Sequence, residues 1–281
     1  MRTVLNKVDN VGEENEYRTF KYEILAGEDD LNVSVAEQGC DFRFNFAKVY
    51  WNSRLSTEHS RLVASFIEGE AICDVMAGVG PFAIPAGKKH CFVWANDLNP
   101  ESFSALKSNI KTNKVEDLVA PSCEDGRAFI RDATNSLLSA SRKVTIRRKK
   151  GNAKARRPRS EELVTLEQPR LFSHYVMNLP ASALSFLPSF VGLYPREAKK
   201  LFAPNSSARL PMLHVYCFQP KLQPDEASRH DICEEISYRL GTTVSPGDED
   251  VEIVDVRDVA PNKRMYCASF RLPEAVAFAE S

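Results

Sequence analysis

The chain has 281 residues, 43% of them hydrophobic and 27% charged, with a formal net charge of −1. That composition describes a globular protein, excludes disorder and collagen-like repeats, and allows one large domain or a domain with an appendage. No apolar run reaches the roughly 18 residues of a membrane span and Met1 to Asn10 has no signal-peptide core, so a soluble, unsecreted protein is expected.

The first segment, Tyr17 to Tyr50, is strand-rich, and within it 42 to 46 (FRFNF) alternates apolar and polar residues as a half-buried strand does. A helix is expected from Ser56, with Glu58 in its first turn and Leu62, Val63 and Phe66 on its apolar stripe. From Ala71 short apolar runs alternate with helical patterns, which predicts stacked βα units around a largely parallel sheet. Strands are placed at 71 to 76, 91 to 97, 119 to 124, 174 to 178 and 212 to 218, with helices at Pro100 to Asn113 and Pro224 to Leu240. The runs 251 to 257 and 265 to 272 flank Pro261 and Asn262 and predict a closing antiparallel hairpin. A strand-rich lead-in over residues 1–50 and an α/β domain over 51–281 follow. A parallel sheet closed by such a hairpin resembles the methyltransferase (class I, Rossmann-like) variant of the doubly wound architecture.

One stretch interrupts the alternation. Arg142 to Arg159 holds ten Lys and Arg and no acid; without it the chain has 27 basic and 38 acidic residues, a balance of −11. Lacking apparent hydrophobic periodicity and containing Gly151 and Pro158, it reads as a solvated insertion at about 141–167. A flexible arm that neutralises nucleic-acid phosphates is the sharper alternative, and composition does not choose between them. Seven cysteines (Cys40, Cys73, Cys91, Cys123, Cys217, Cys233, Cys267) form an odd set without a C-x-x-C pair, mostly inside apolar runs, and read as reduced core residues of an intracellular protein. The five histidines show no zinc-ligand spacing with them, so no metal is expected.

Chemistry concentrates at strand ends. Cys73 to Phe82 ends one strand and opens a helix, and its Gly78 and Gly80 allow backbone to approach a ligand closely. The next strand ends in Asp97, about 20 residues on, where a carboxylate can hold the two ribose hydroxyls of a nucleoside. Pro81 and Phe82 stand where a dinucleotide fingerprint would continue, which favours S-adenosylmethionine over NAD. A third strand ends in Glu124 and Asp125, and Asp125 is placed to accept from an adenine amino group. Each acid alone reads as an exposed helix cap; their position at successive strand ends promotes them.

The run Asp74-Val75-Met76-Ala77-Gly78-Val79-Gly80-Pro81-Phe82, with Asp97-Leu98-Asn99-Pro100 and Asn178-Leu179-Pro180, resembles the archaeal and eukaryotic tRNA (guanine-37 N1)-methyltransferases. The resemblance continues through Leu25 to Glu28, Lys48-Val49-Tyr50, Arg54-Leu55 with Glu58, and Ala260-Pro261, and covers nearly everything except the basic insertion. It departs at Asn52-Ser53-Arg54, where the family usually has Ser-Pro-Arg. The separate N-terminal domain with which many members grip the tRNA elbow is missing, which implies a shortened chain. The resemblance implies methylation of N1 of guanosine 37, with Glu58 as general base, Arg18 stabilising O6, and Asn178, Pro180 and Arg54 at the extruded guanine. It implies S-adenosylmethionine contacts at Tyr50, Arg54, Asp74, Met76, Gly78, Val79, Gly80, Asp97, Leu98, Asn99, Asp125, Gly126 and Asn178. It also implies a monomer acting on tRNA in the cytoplasm, with nuclear and mitochondrial pools. From the residues alone, Glu58 reads as a helix-first-turn acid beside Arg54, and Arg18 has no distinguishing context. Two other readings stand beside this one: aminocarboxypropyl transfer from the same cofactor in wybutosine synthesis, and a non-catalytic RNA-binding module.

Overall fold

The computed structural model describes residues 3–8, 17, 19, 21–149, 161–202, 206 and 208–280. In chain order the elements are β1 (Thr3–Lys7), β2 (Tyr22–Gly27), β3 (Asn32–Glu37), β4 (Cys40–Asn45), α1 (Ser56–Ser65), β5 (Ala71–Asp74), α2 (Ala83–Lys88), β6 (Phe92–Asn96), α3 (Pro100–Asn113) and β7 (Val119–Ser122). There follow α4 (Gly126–Ser139), β8 (Lys143–Lys149), β9 (Glu161–Glu167), β10 (His174–Met177), β11 (Met212–Pro220), α5 (Asp225–Leu240), β12 (Val251–Ala260), β13 (Lys263–Arg271) and α6 (Glu274–Ala277). Three 3₁₀ segments occupy Ser53–Leu55, Ala183–Phe190 and Arg196–Phe202.

Seven strands form the central sheet in the order β7-β6-β5-β10-β11-β13-β12, parallel from β7 to β11 and antiparallel at β13 and β12. This is the parallel sheet with a closing hairpin expected from the sequence. Strand order reverses between β5 and β10, so the C-terminal ends of those two strands open the crevice in which doubly wound sheets bind ligands. The inner strands read as near-continuous apolar runs because both faces are covered. One face, with Tyr175, Met177, Leu213 and Val215, packs on α4, α5 and the Ala183–Phe190 segment. The other, with Ile72, Val93, Val176 and Tyr216, packs on α1, α2, α3 and β4.

The lead-in contributes two antiparallel pairs, β1-β2 and β3-β4. Alternation along β4 buries Cys40, Phe42 and Phe44 in the second of these cores. Asn113 and Asn109 on α3 accept from the backbone N–H groups of Asp41 and Arg43, which fixes the hairpin on that helix.

Several boundaries move. β5 stops at Asp74 rather than continuing to residue 76: the Val75 N–H still closes the ladder on Val176 O, but the Ala77 N–H turns out of register to Asn96 O. β11 and β12 run on to Pro220 and Ala260, and the connection at Pro261 and Asn262 stands where expected. Six of the seven cysteines are buried, Cys123 is exposed, and all are free thiols.

The basic insertion requires a correction. Lys143–Lys149 is a strand, with Val144 and Ile146 buried between exposed Lys143, Thr145 and Arg147, so a period of two lies hidden under the charge. Its partner β9 sets Glu167 opposite Lys143 and Glu162 opposite Arg148. Opposite charges across a ladder stabilise that register. The rest of the insertion, residues 150–160, lies outside the described residues. Among the described residues, no helix is long and apolar enough to cross a membrane.

Candidate active site

The loop after β5 is held open from both sides. Gly78 has φ +57° and Gly80 φ +101°, conformations that residues with a Cβ rarely adopt. A Cβ on Gly80 would lie 2.8 Å from Ile84 Cδ1 and 2.9 Å from Leu106 Cδ1, whereas a Cβ on Gly78 would meet no atom within 4 Å. Gly80 is thus required by packing, and Gly78 faces open space. Asp97, one residue past β6, accepts from the Gly78 N–H through Oδ2 at 2.7 Å and from the Asn99 N–H through Oδ1 at 3.0 Å. Asn99 caps α3 by accepting from the Glu101 N–H, and its amide donates to Lys48 O at 2.8 Å, tying the lead-in to this strand end.

Asn96 was not foreseen from the sequence. Its amide nitrogen donates to Val75 O and Glu124 O, and its oxygen accepts from the Glu124 N–H, so one buried side chain joins the loops after β5 and β7. Asp125 is exposed and caps α4, accepting from the N–H groups of Arg127 and Ala128. Gly126 follows where a Cβ would lie 2.9 Å from Phe186 Cε1 and 3.0 Å from Val75 Cγ1. Val79 is buried, Met76 half-buried, and Leu98 exposed at the crevice rim.

Asp74 closes the floor. It is fully buried, and neither carboxylate oxygen has a hydrogen-bond partner of good geometry. Burial, with the nearby charge of Asp97 adding to it, pushes its pKa up to about 8, and the Ala83 N–H offsets this only in part. Burial also raises Asp97, against the N–H donors of Asn99 and Gly78. Two acids that disfavour their own ionisation form a site short of positive charge. Such a floor, beside a loop opened by two glycines, fits S-adenosylmethionine, which carries an ammonium and a sulfonium.

On the other side of the reversal point stand Asn178 and Glu58. Register pairs Met177 with Val215, and Asn178 is the first residue past the end of β10, beside the β5 and β11 ends. The Asn178 and Pro180 side chains are half-buried. Glu58 sits in the first turn of α1, as expected, but is buried. The cation beside it is Arg61 and not Arg54: Arg61 Nε and Nη2 donate to its two oxygens at 2.7 and 2.8 Å, and the Tyr216 hydroxyl donates at 2.8 Å. Arg54 is exposed in the 3₁₀ turn, where Asn52 accepts from its backbone N–H, a capping role that suits the departure from Ser-Pro-Arg. Tyr50 is exposed nearby, its hydroxyl 3.5 Å from the Asn52 amide. The next residue of α1, His59, is buried against Glu37 of β3 at 2.7 Å and meets Phe82 edge-on. Arg18 lies outside the described residues.

A family model described as the TRM5/TYW2 methyltransferase domain matches residues 33–145, which span β3, β4, α1 and the whole cofactor loop. A tRNA (guanine(37)-N(1))-methyltransferase of Neurospora crassa is 51% identical over 286 aligned positions, covering 100% of this chain. The chain belongs to the TRM5/TYW2 methyltransferase family. A Schizosaccharomyces pombe protein of the same name is 46% identical over 100% of the chain. The chain spans 60% and 62% of the length of these two relatives. Among solved structures, Trm5b from Pyrococcus abyssi superposes with a TM-score of 0.61 at 26% identity, covering 96% of this chain and 64% of that one. A complex of aTrm5 with tRNALeu superposes at 0.62 with 22% identity, covering 97% and 61%. The TRM5/TYW2 fold is therefore the fold of this chain: a class I methyltransferase sheet preceded by strands.

Proposed function

We propose that this chain methylates N1 of guanosine 37 in tRNA, using S-adenosylmethionine bound across the ends of β5, β6 and β7. The placement of Asn178 just past β10, next to the Gly78 loop after β5, with Glu58 bonded to Tyr216 on the neighbouring β11, carries this reading, and the relatives named tRNA (guanine(37)-N(1))-methyltransferase support it. Gly78 and Gly80 would give the cofactor backbone contact, Asp97 its ribose, Asp125 its adenine, and buried Asp74 a carboxyl whose ionisation the cofactor's cationic end would favour. When bound, the cofactor supplies an electrophilic methyl group.

The chain's own residues have two tasks. Neutral guanine carries a proton on N1 and is not nucleophilic there, so a base must take that proton while charge growing on O6 is stabilised. Glu58, paired with Arg61, is the base: the N1–H bond breaks as an O–H bond forms on the carboxylate, and the electron pair stays on N1. Asn178 presents an amide to a purine edge from a strand end, with Pro180 shaping the pocket. Arg18 is assigned to O6 on resemblance. The target base must leave its stack, at a cost of about a few kcal/mol that is smallest in a single-stranded loop such as the anticodon loop. Such an enzyme works where tRNA matures and is used, in the cytoplasm with nuclear and mitochondrial pools, which fractionation would check.

The test uses labelled S-adenosylmethionine and tRNA transcripts with G or A at position 37. Label enters only the G37 transcript, as N1-methylguanosine by mass. Glu58→Gln lowers the single-turnover rate by about 10² to 10⁴, with little change in cofactor affinity. Equal labelling of both transcripts, or an aminocarboxypropyl product, refutes the assignment.

A further inference from the structure

The three hydrogen bonds on Glu58 are unevenly shared between its oxygens. Oε1 accepts from Arg61 Nη2 and from the Tyr216 hydroxyl, both at 2.8 Å, while Oε2 accepts only from Arg61 Nε at 2.7 Å. Each carboxylate oxygen offers about two lone-pair sites, so Oε1 is filled and Oε2 keeps one. The charged and titratable groups around it come from four elements. Arg61 lies on its own helix, with its far side 3.9 Å from Glu252 on β12. Tyr216 comes from β11 and Cys267 from β13, and both are held neutral by burial, with the charge of Glu58 adding to the effect.

We propose that Arg61 and Tyr216 are positioning residues, which fix the Glu58 carboxylate so that the remaining lone pair of Oε2 is the acceptor for the substrate proton. The proposal rests on reading Glu58 as the base. Neither residue touches the reacting atoms. The planar guanidinium sets the plane of the carboxylate by its paired contact, which a lysine ammonium does not reproduce. Tyr216, fully buried on β11, anchors that pair to the sheet. Arg61 is i+3 from Glu58, so the helix places it; Tyr216 is 158 residues away, and only the fold does.

The experiment measures single-turnover methylation of a G37 transcript at saturating tRNA and cofactor for Tyr216→Phe and Arg61→Lys, each alone and combined with Glu58→Gln. Each single variant slows the chemical step by about 10- to 100-fold, the usual consequence of a misplaced catalytic group. Dissociation constants for tRNA and cofactor stay at their original values. In the Glu58→Gln background neither substitution slows the reaction further, because both act through that carboxylate. Thermal unfolding identifies a variant that has lost its fold, and Arg61→Lys, half-exposed, covers the case in which Tyr216→Phe does so. Unchanged rates for both single variants, with Glu58→Gln slowed, overturn the proposal alone. Full additional losses in the Glu58→Gln background also overturn it. A wild-type rate for Glu58→Gln overturns the base assignment, and the positioning role with it.

Discussion

Gly78 and Gly80 separate two demands that their motif makes together, and substituting each by alanine pulls them apart. At Gly80 a methyl group meets Ile84 and Leu106 at 2.8 to 2.9 Å, and the backbone sits at φ +101°. Overpacking of that kind costs about 1–3 kcal/mol and the unfavourable backbone region about 1–3 kcal/mol more. Gly80→Ala should therefore destabilise the protein by about 2–6 kcal/mol, a large share of the 5–15 kcal/mol typical of a folded domain. At Gly78 the backbone lies at φ +57° in the left-handed helical region and the methyl group meets nothing within 4 Å. The expected stability loss is about 1–2 kcal/mol, from conformation alone. The open space is where the cofactor's backbone contact is assigned, so Gly78→Ala should lose far more affinity for S-adenosylmethionine than stability. Urea unfolding of the ligand-free variants, followed by calorimetric titration with S-adenosylmethionine, reads both quantities. A Gly78→Ala protein that binds S-adenosylmethionine as well as the original chain refutes the placement of the ligand over this loop.

Other outcomes follow from single contacts. Asp97→Ala should weaken cofactor binding by about 1.5–3 kcal/mol, the range for hydrogen bonds to a charged group, and calorimetry showing unchanged affinity removes the ribose assignment. Asp74 binds its proton up to about pH 8 in the folded chain, against about 3.9 in an unfolded one. Between those values the native state holds a proton that the unfolded state has released, so this residue makes stability fall as pH rises through the window. Asp74→Asn should flatten that fall in urea titrations from pH 4 to 8, and an unaltered pH profile counts against the buried neutral acid. Replacing the five Lys and Arg of residues 150–159 by Ser should make the salt dependence of tRNA binding shallower while leaving saturated turnover intact; an identical salt slope leaves that segment no contact with phosphate. Substitution serves better than deleting Arg142 to Arg159, which would also remove the buried Val144 and Ile146.

The sheet was legible because its signals are local. Apolar runs between helical patterns place β5, β6, β7, β10 and β11, and Asn99-Pro100 marks the start of α3 to the residue. The positions of the loop residues were legible for the same reason, since Gly78, Gly80, Asp97 and Asp125 each stand just past a recognisable run. What escaped depends on partners remote in sequence. Asn96 looks like an ordinary strand-end residue until it bridges Val75 and Glu124. Tyr216 looks like one aromatic in an apolar strand until α1 brings Glu58 to it. Arg61 was readable as an i+3 partner and was passed over in favour of Arg54, which precedes the helix and cannot share its face. β8 was missed because two apolar residues among seven are too few to outweigh a charge run; its evidence lay in the acids at 161, 162 and 167.

Glu58 and His59 are adjacent, yet they are fastened to different parts of the molecule: the first to β11 through Tyr216, the second to β3 through Glu37. One turn of helix thereby acts as a splice between the lead-in hairpin and the central sheet. A cut at residue 50 would strand a buried imidazole without its carboxylate and strip Phe42 and Phe44 from the core beneath it. The boundary between lead-in and catalytic sheet is for that reason a boundary in the chain and not in the solid. Any displacement of β3 reaches the neighbour of the proposed base through one peptide bond.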